Sequence, residues 1–189
     1  MMTLAFDGTP GAKAAALALA PEADLLALTR GERVIDTLAS GEAERGMVTV
    51  EDGMAGSDIG VLDALLETEA VRIVGERWEP ADGSAARAWL IAPAGTAPGG
   101  PATKTTLVLT PKTEVPNALF RSLTAFVGRR LAVYNVVSRP RPGQPGAYRY
   151  LVDIEGDAEA EPLASALVDL GALNDSVRVL GSYPGHTPA

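Results

Sequence analysis

From Thr3 onward, short apolar runs alternate with stretches in which apolar residues recur every three or four positions. Thr3-Leu4-Ala5-Phe6, Asp24 to Leu28, Gly46 to Val50 and Val71 to Gly75 have strand length. Between them lie the Ala-rich segment Ala12 to Ala20, a helical set around Val34, Ile35 and Leu38, and another through Ile59, Leu62, Leu65 and Leu66. Continuous runs predict buried strands, and the spaced sets predict helices that cover them. Their alternation predicts an α/β domain around one parallel-rich sheet. The turn Asp7-Gly8-Thr9-Pro10-Gly11 joins the first strand to the first helix, an arrangement that aims a helix N-terminus at a cleft.

The second half carries a different order. Thr105 to Thr110 is β-branched and apolar and ends at Pro111, which predicts a strand. Pro116 suits a first helical turn, and Leu119, Phe120, Leu123, Phe126 and Val127 form one helical face closing at Gly128. Leu131 to Val137 reads as a strand. Tyr148, Tyr150, Val152 and Ile154 alternate with Arg149, Leu151 and Asp153, the period of a strand with one covered face. Arg139-Pro140-Arg141-Pro142-Gly143-Gln144-Pro145-Gly146 between these two strands predicts a long hairpin connection. Leu163, Ala166, Leu167 and Leu170 then predict a helix behind Pro162, and Ser176 to Leu180 a last strand. The order βαββαβ is the split-βαβ, ferredoxin-like arrangement, which hosts many functions and decides none.

Charge separates the halves. The net charge of −8 divides into 7 basic and 16 acidic residues over 1–100 against 9 and 8 over 101–189. The change coincides with Pro93-Ala94-Gly95-Thr96-Ala97-Pro98-Gly99-Gly100-Pro101, which cannot hold a regular element and is expected to link two domains. An acidic chain argues against nucleic acid. The absence of cysteine removes disulfides, thiolate metal sites and cysteine nucleophiles. No apolar run reaches the ~20 residues of a membrane span, and the opening residues have no basic region, so a cytoplasmic protein is expected. No Gly-x-Ser-x-Gly elbow, phosphate loop or metal-ligand spacing is present. The lone His186 lies in a Pro-Gly segment expected to be a disordered tail, and the pairs Glu42 with Glu44 and Glu67 with Glu69 read as solvated surface.

The second half also carries motifs. Pro116-Asn117-Ala118-Leu119, Val137-Ser138-Arg139-Pro140, Tyr148 to Gly156 and Leu180-Gly181-Ser182-Tyr183-Pro184 stand in order over 104–184. The segment resembles the ACT domain that ends prephenate dehydratases and binds phenylalanine as a feedback inhibitor. The resemblance implies an effector site at Asn117, Ala118, Leu119, Val137, Ser138, Arg139 and Pro140. Two positions depart from the family pattern: Asn117 replaces a Gly at the helix start, and Val137 replaces a Glu. Asn tolerates unusual dihedrals and can cap a helix, but its side chain also takes up volume a ligand would need.

The first half resembles the catalytic domain of the same family more faintly. Gly8-Thr9-Pro10-Gly11, Ser40 to Val48 and Glu51-Asp52-Gly53-Met54-Ala55-Gly56-Ser57 carry the likeness. It implies a substrate cleft at Gly8, Gly11, Asp52 and Gly53, with Arg87 and Glu51 as the candidate catalytic residues. After Glu76 the family inserts a second lobe, whereas this chain reaches Ala86-Arg87-Ala88-Trp89 in about ten residues. Ala86 stands where the family has a Thr placed to protonate the leaving hydroxyl, and alanine donates no proton. Arg87 on a strand is expected to be a solvated charge.

The resulting expectation is a shortened, single-lobed α/β domain over 1–93, a linker over 94–103, a ferredoxin-like ACT domain over 104–184 and a tail over 185–189. Two functions follow from the resemblance. One is a regulatory module with a degenerate catalytic half that senses phenylalanine or another aromatic amino acid, pairs as a homodimer through the ACT domain and modulates a partner enzyme of aromatic biosynthesis. The other is a compact prephenate dehydratase whose cleft is completed across a dimer or by a partner. Neither implies a cofactor, a metal, nucleic acid or a membrane.

Overall fold

The computed structural model describes residues 2–81 and 84–186, and the chain forms two compact units. Unit 1 comprises residues up to Gly99 together with the segment from Pro184, and unit 2 runs from Gly100 to Tyr183. Among the described residues no helix is long and apolar enough to cross a membrane.

Unit 1 alternates β1 (Thr3–Phe6), α1 (Pro10–Leu19), β2 (Asp24–Ala27), α2 (Gly31–Ala39), β3 (Arg45–Asp52), the short β4 (Gly56–Ser57), α3 (Ile59–Glu67), β5 (Val71–Ala81) and β6 (Ser84–Pro93). The sheet order is β2-β1-β3-β6-β5, with β4 paired to β3. Helix α1 covers the face bearing Leu4, Phe6, Met47 and Ala88 through Ala12, Ala15 and Ala16. Alanine there lets the helix approach closely. The opposite face takes α2: a Cβ on Gly46 would fall 2.4 Å from Leu38 and 2.6 Å from Val34. Both faces of β3 are therefore covered, which explains its nearly continuous apolar run.

The sheet is parallel only where helices cross over. β1 pairs parallel with β2 and β3, but β3–β6 and β5–β6 are antiparallel, which corrects the expectation of a parallel-rich sheet. The reason is connection length. Ala81 and Ser84 are ladder partners, so β5 and β6 form a hairpin, and so short a link permits only antiparallel pairing.

Unit 2 runs β7 (Lys104–Pro111), α4 (Ala118–Val127), β8 (Val133–Pro140), β9 (Tyr148–Glu155), α5 (Leu163–Leu170) and β10 (Asn174–Tyr183), with an all-antiparallel sheet ordered β10-β7-β9-β8. This is the ferredoxin-like βαββαβ arrangement. Its core joins Leu107, Leu109, Val152 and Ile154 of the sheet to Phe126, Leu163, Ala166 and Leu170 of the two helices. Two expectations are corrected here. Helix α4 buries Ala118, Ser122 and Phe126, while Phe120 and Val127 are 73 % and 66 % exposed, because Asn174 donates to Ser122 and draws a polar position inward. In β9, Leu151, Val152, Asp153 and Ile154 are all buried, so both faces are covered rather than one. The second face holds a polar network in which Thr106 Oγ1 bonds Asp153 Oδ1 and the Tyr183 hydroxyl, each at 2.6 Å.

Candidate functional site

Two places collect the residues the sequence singles out, one in each unit. In unit 1 strand register assembles them. Glu51 of β3 lies opposite Arg87 of β6, Asp52 lies opposite Ala86, and on the other flank of β6 Trp78 of β5 lies opposite Arg87. Arg87 is only 4 % exposed, which corrects its reading as a solvated charge. Burial is tolerated because Glu76, itself fully buried as a side chain, supplies the counter-charge. Arg87 Nε and a terminal nitrogen donate to Glu76 Oε2 at 2.8 and 2.5 Å. The guanidinium also lies 5.0 Å from the Trp89 ring centroid and 3.8 Å from Glu51 Oε2. One buried cation thus faces two carboxylates.

The glycine turn closes on the same strands. Gly8 has φ +79°, and a Cβ there would meet Leu28 O at 2.7 Å, so only glycine fits the turn. Gly11 packs over Ala86, since a Cβ on Gly11 would lie 3.2 Å from the Ala86 methyl. Asp7 is buried and accepts from Thr9 N, Thr9 Oγ1 and Thr49 N. Thr9 caps α1 by accepting from Ala12 N, and its hydroxyl also lies 2.8 Å from Thr49 Oγ1. Its one proton goes to Asp7, so Thr49 is the donor in that pair. The hydroxyls of the turn therefore hold α1 against β3. Asp52 Oδ1 accepts from Met54 N and Ala55 N and shapes a turn, and Gly53 N donates to Ala85 O at the end of the ladder. Among the described residues no three His, Cys, Asp or Glu side chains are grouped to hold a metal ion.

A residue that sequence reasoning set aside joins this cluster. His186 accepts at Nδ1 from Trp78 N, 3.2 Å, and donates its own N–H to Glu76 Oε1, 3.3 Å. It is half-buried and held, which corrects the reading of a disordered tail; residues 187–189 lie outside the described residues. More than 100 residues separate His186 from Glu76, a distance that no local pattern bridges.

In unit 2 a cavity of about 310 Å³ is lined by Pro111, Lys112, Thr113, Val115, Asn117, Ala118, Leu119, Gly146, Ala147, Tyr148 and Tyr150. Asn117 takes the left-handed conformation, φ 56° and ψ 31°, and its side chain makes no capping hydrogen bond. It thus uses the backbone freedom that Asn shares in part with Gly, and its side chain borders the cavity. Val137–Pro140 are not part of the lining. They lie on edge strand β8, with Ser138 and Pro140 paired to Tyr150 and Tyr148. Two of the lining residues, Tyr148 and Tyr150, are therefore one strand spacing, ~4.8 Å, from Pro140 and Ser138.

No family model matches the chain. A bifunctional N-acyl-homoserine lactone acylase/prephenate dehydratase of Komagataeibacter europaeus is 31 % identical over 130 residues, 67 % of this chain and 46 % of that protein. The chain spans about half the length of that curated relative, and less of others. Among solved structures, prephenate dehydratase from Streptococcus mutans superimposes with a TM-score of 0.84 at 27 % identity, covering 99 % of this chain and 100 % of that one. A structure described as a novel type of quorum quenching acylase gives 0.83 at 30 % identity, covering 97 % and 95 %. The prephenate dehydratase of Arthrobacter aurescens, solved in complex with L-Phe, shares the fold at 21 % identity, with a TM-score of 0.83 over 99 % and 92 %. With this likeness running through both units, the chain belongs to the prephenate dehydratase family.

Proposed function

We propose that this chain is a regulatory member of its family: unit 2 is an ACT domain that binds phenylalanine or a similar aromatic amino acid, and unit 1 is a degenerate catalytic half. What carries this reading is the cavity at Asn117–Leu119, where the family's motif puts its effector. Its volume is at the lower end of ordinary small-ligand sites, and it combines Tyr148 and Tyr150 with the backbone at the start of α4. A ring stacks on such aromatic walls, and a carboxylate suits the positive end of a ten-residue helix. The proposed effector residues are Asn117, Ala118 and Leu119, with Val137, Ser138, Arg139 and Pro140 on the neighbouring edge.

Unit 1 supports the degenerate half of the proposal. A methyl at Ala86 transfers no proton, and Arg87 is committed to Glu76 and faces Glu51, so a substrate carboxylate would compete with two resident ones. Edge strand β8 exposes Tyr134, Val136 and, across the ladder, Tyr148, an apolar rim suited to a homodimer through 104–184. The proposed outcome of dimerisation and ligand binding is control of a partner enzyme of aromatic biosynthesis.

A second reading, an enzyme, is favoured by one observation: the Glu51 side chain remains 32 % exposed beside the buried Arg87, so an accessible carboxylate borders a buried guanidinium. Its substrates would follow the relatives' names, prephenate or an N-acyl-homoserine lactone, with Arg87 and Glu51 catalytic and Gly8, Gly11, Asp52 and Gly53 lining the cleft. One experiment separates the readings. Thermal shift with phenylalanine, tyrosine, tryptophan and prephenate is run beside assays for phenylpyruvate and free homoserine lactone. Stabilisation by an aromatic amino acid without product formation supports the regulator. Product formation abolished by Arg87→Met or Glu51→Gln would overturn it in favour of the enzyme.

A further inference from the structure

Strand β5 ends the sheet of unit 1, so among the described residues one of its long edges has no neighbouring strand. It spans 11 residues, long enough to template another chain. Trp78 N–H points to that edge, because it donates to His186 Nδ1 at 3.2 Å while β6 fills the other side. Pro184 to His186 belong to unit 1 with β5, so the contact lies within one unit. A backbone N–H only donates, and an imidazole nitrogen accepts only while it carries no proton. The contact therefore requires neutral imidazole with its proton on Nε2. Histidine ordinarily titrates between about pH 5 and 8, so acid removes this acceptor.

The charged groups of β5 near this point are Glu76, Arg77 and Glu79, with Arg87 of β6 and Glu51 of β3 beyond Glu76. Helices α1 and α2, which also touch β5, bring Lys13 from the first and Glu32 with the exposed pair Arg33 and Asp36 from the second. Glu76 engages Arg87 through Oε2 and His186 N–H through Oε1, and Glu79 holds Arg77 at 2.7 Å. A protonated ring drawn to either carboxylate has to turn and donate to it. Trp78 N–H loses its acceptor in either case.

The freed edge suits a second copy of this chain. Two β5 edges paired antiparallel about a two-fold axis at Trp78 set Arg77 directly opposite the partner's Glu79, and Glu79 opposite the partner's Arg77. That register joins two ion pairs, one from each copy, into a network of four charges. We propose that His186 is a pH-sensitive guard on edge strand β5, which acid releases for antiparallel pairing with a second copy of this chain.

Sedimentation of the full chain at about pH 7.5 and 5.5 tests this, whatever the size of the assembly at the higher value. The native protein should double in mass at the lower pH, and His186→Ala should be doubled at both. His186→Asn, whose side-chain oxygen accepts in place of Nδ1 and does not titrate, should keep the smaller mass throughout. A native mass that does not change overturns the proposal, and so does a His186→Ala chain that still needs acid to associate. Net charge also falls in acid, but association from that cause has no register. Glu79→Arg sets arginines against each other and should abolish the doubling, and adding Arg77→Glu should bring it back. Doubling that persists in Glu79→Arg or in His186→Asn overturns the guarded edge as its cause. Amide exchange at Trp78 needs only the native chain, kept dilute enough to hold the smaller mass. Its protection, corrected for the intrinsic pH dependence of exchange, should fall about tenfold in acid, and unchanged protection overturns the guard.

Discussion

Arg87 of unit 1 and Asn117 of unit 2 both stand at motif positions, yet their surroundings differ in kind. Around Arg87 the polar groups are occupied: two bonds go to Glu76, Asp7 has three donors, and the Thr9 and Thr49 hydroxyls serve helix α1 and strand β3. Around Asn117 there is space, about 310 Å³ of it, bordered by aromatic rings and a side chain that caps nothing. A binding site needs polar capacity left over after folding. By that measure the proposed division of roles predicts that the motif residues of unit 1 serve structure and that unit 2 keeps room for a ligand.

The largest effect should come from breaking the occupied site. Glu76→Ala leaves Arg87 buried with its main counter-charge gone, and should cost about 3–5 kcal/mol, read as the loss of stability of unit 1 in urea. The double variant Glu76→Leu with Arg87→Met should recover most of that loss, because apolar replacement of a buried pair is often neutral. If Glu76→Ala cost less than about 1 kcal/mol, Arg87 would be free to serve a substrate and the contrast between the units would collapse. Next in size is Asp7→Ala, which strands the Thr49 N–H and the Thr9 cap and should cost roughly 2–3 kcal/mol by the same measurement.

Ligand effects sharpen the comparison from the other side. Phenylalanine at a hundredfold excess over its Kd should stabilise unit 2 by ~2.7 kcal/mol, and prephenate should leave the melting of unit 1 unmoved. A melting shift with prephenate that Arg87→Met removes would reverse the roles assigned to the two units. The smallest effect belongs to Asn117→Gly. Glycine suits the left-handed backbone and withdraws a side chain from the cavity wall, so phenylalanine should bind more tightly, by no more than about tenfold or ~1.4 kcal/mol in calorimetry. Weaker binding in this variant would mean that the Asn117 amide itself holds the ligand.

Much of the fold was legible in the sequence. The helices through Val34, Ile35 and Leu38 and through Leu163, Ala166 and Leu170 stand where their spacing puts them, because a 3.6-residue period with one apolar face has few other uses. Less was legible where polar groups decide burial. Phe120 and Val127 fit the apolar face of α4 by spacing, yet Ser122 takes the inner position through a bond to Asn174, 52 residues later. The burial of Arg87 had one available signal: opposite charges at Glu76 and Arg87, about ten residues apart in the sequence. Only hairpin register turns that hint into a contact.

By itself the sequence determined the order of the elements, the ferredoxin-like second half and the family, since periodicity and motifs are local and survive in one dimension. The tertiary structure alone decided that Arg87 is a buried, paired charge, that His186 is held against β5, and that Asn117 borders a cavity. Each of these depends on a partner brought in by strand register or chain return, and the free energy of a charge or an open pocket is fixed by what surrounds it in space rather than by its neighbours along the chain.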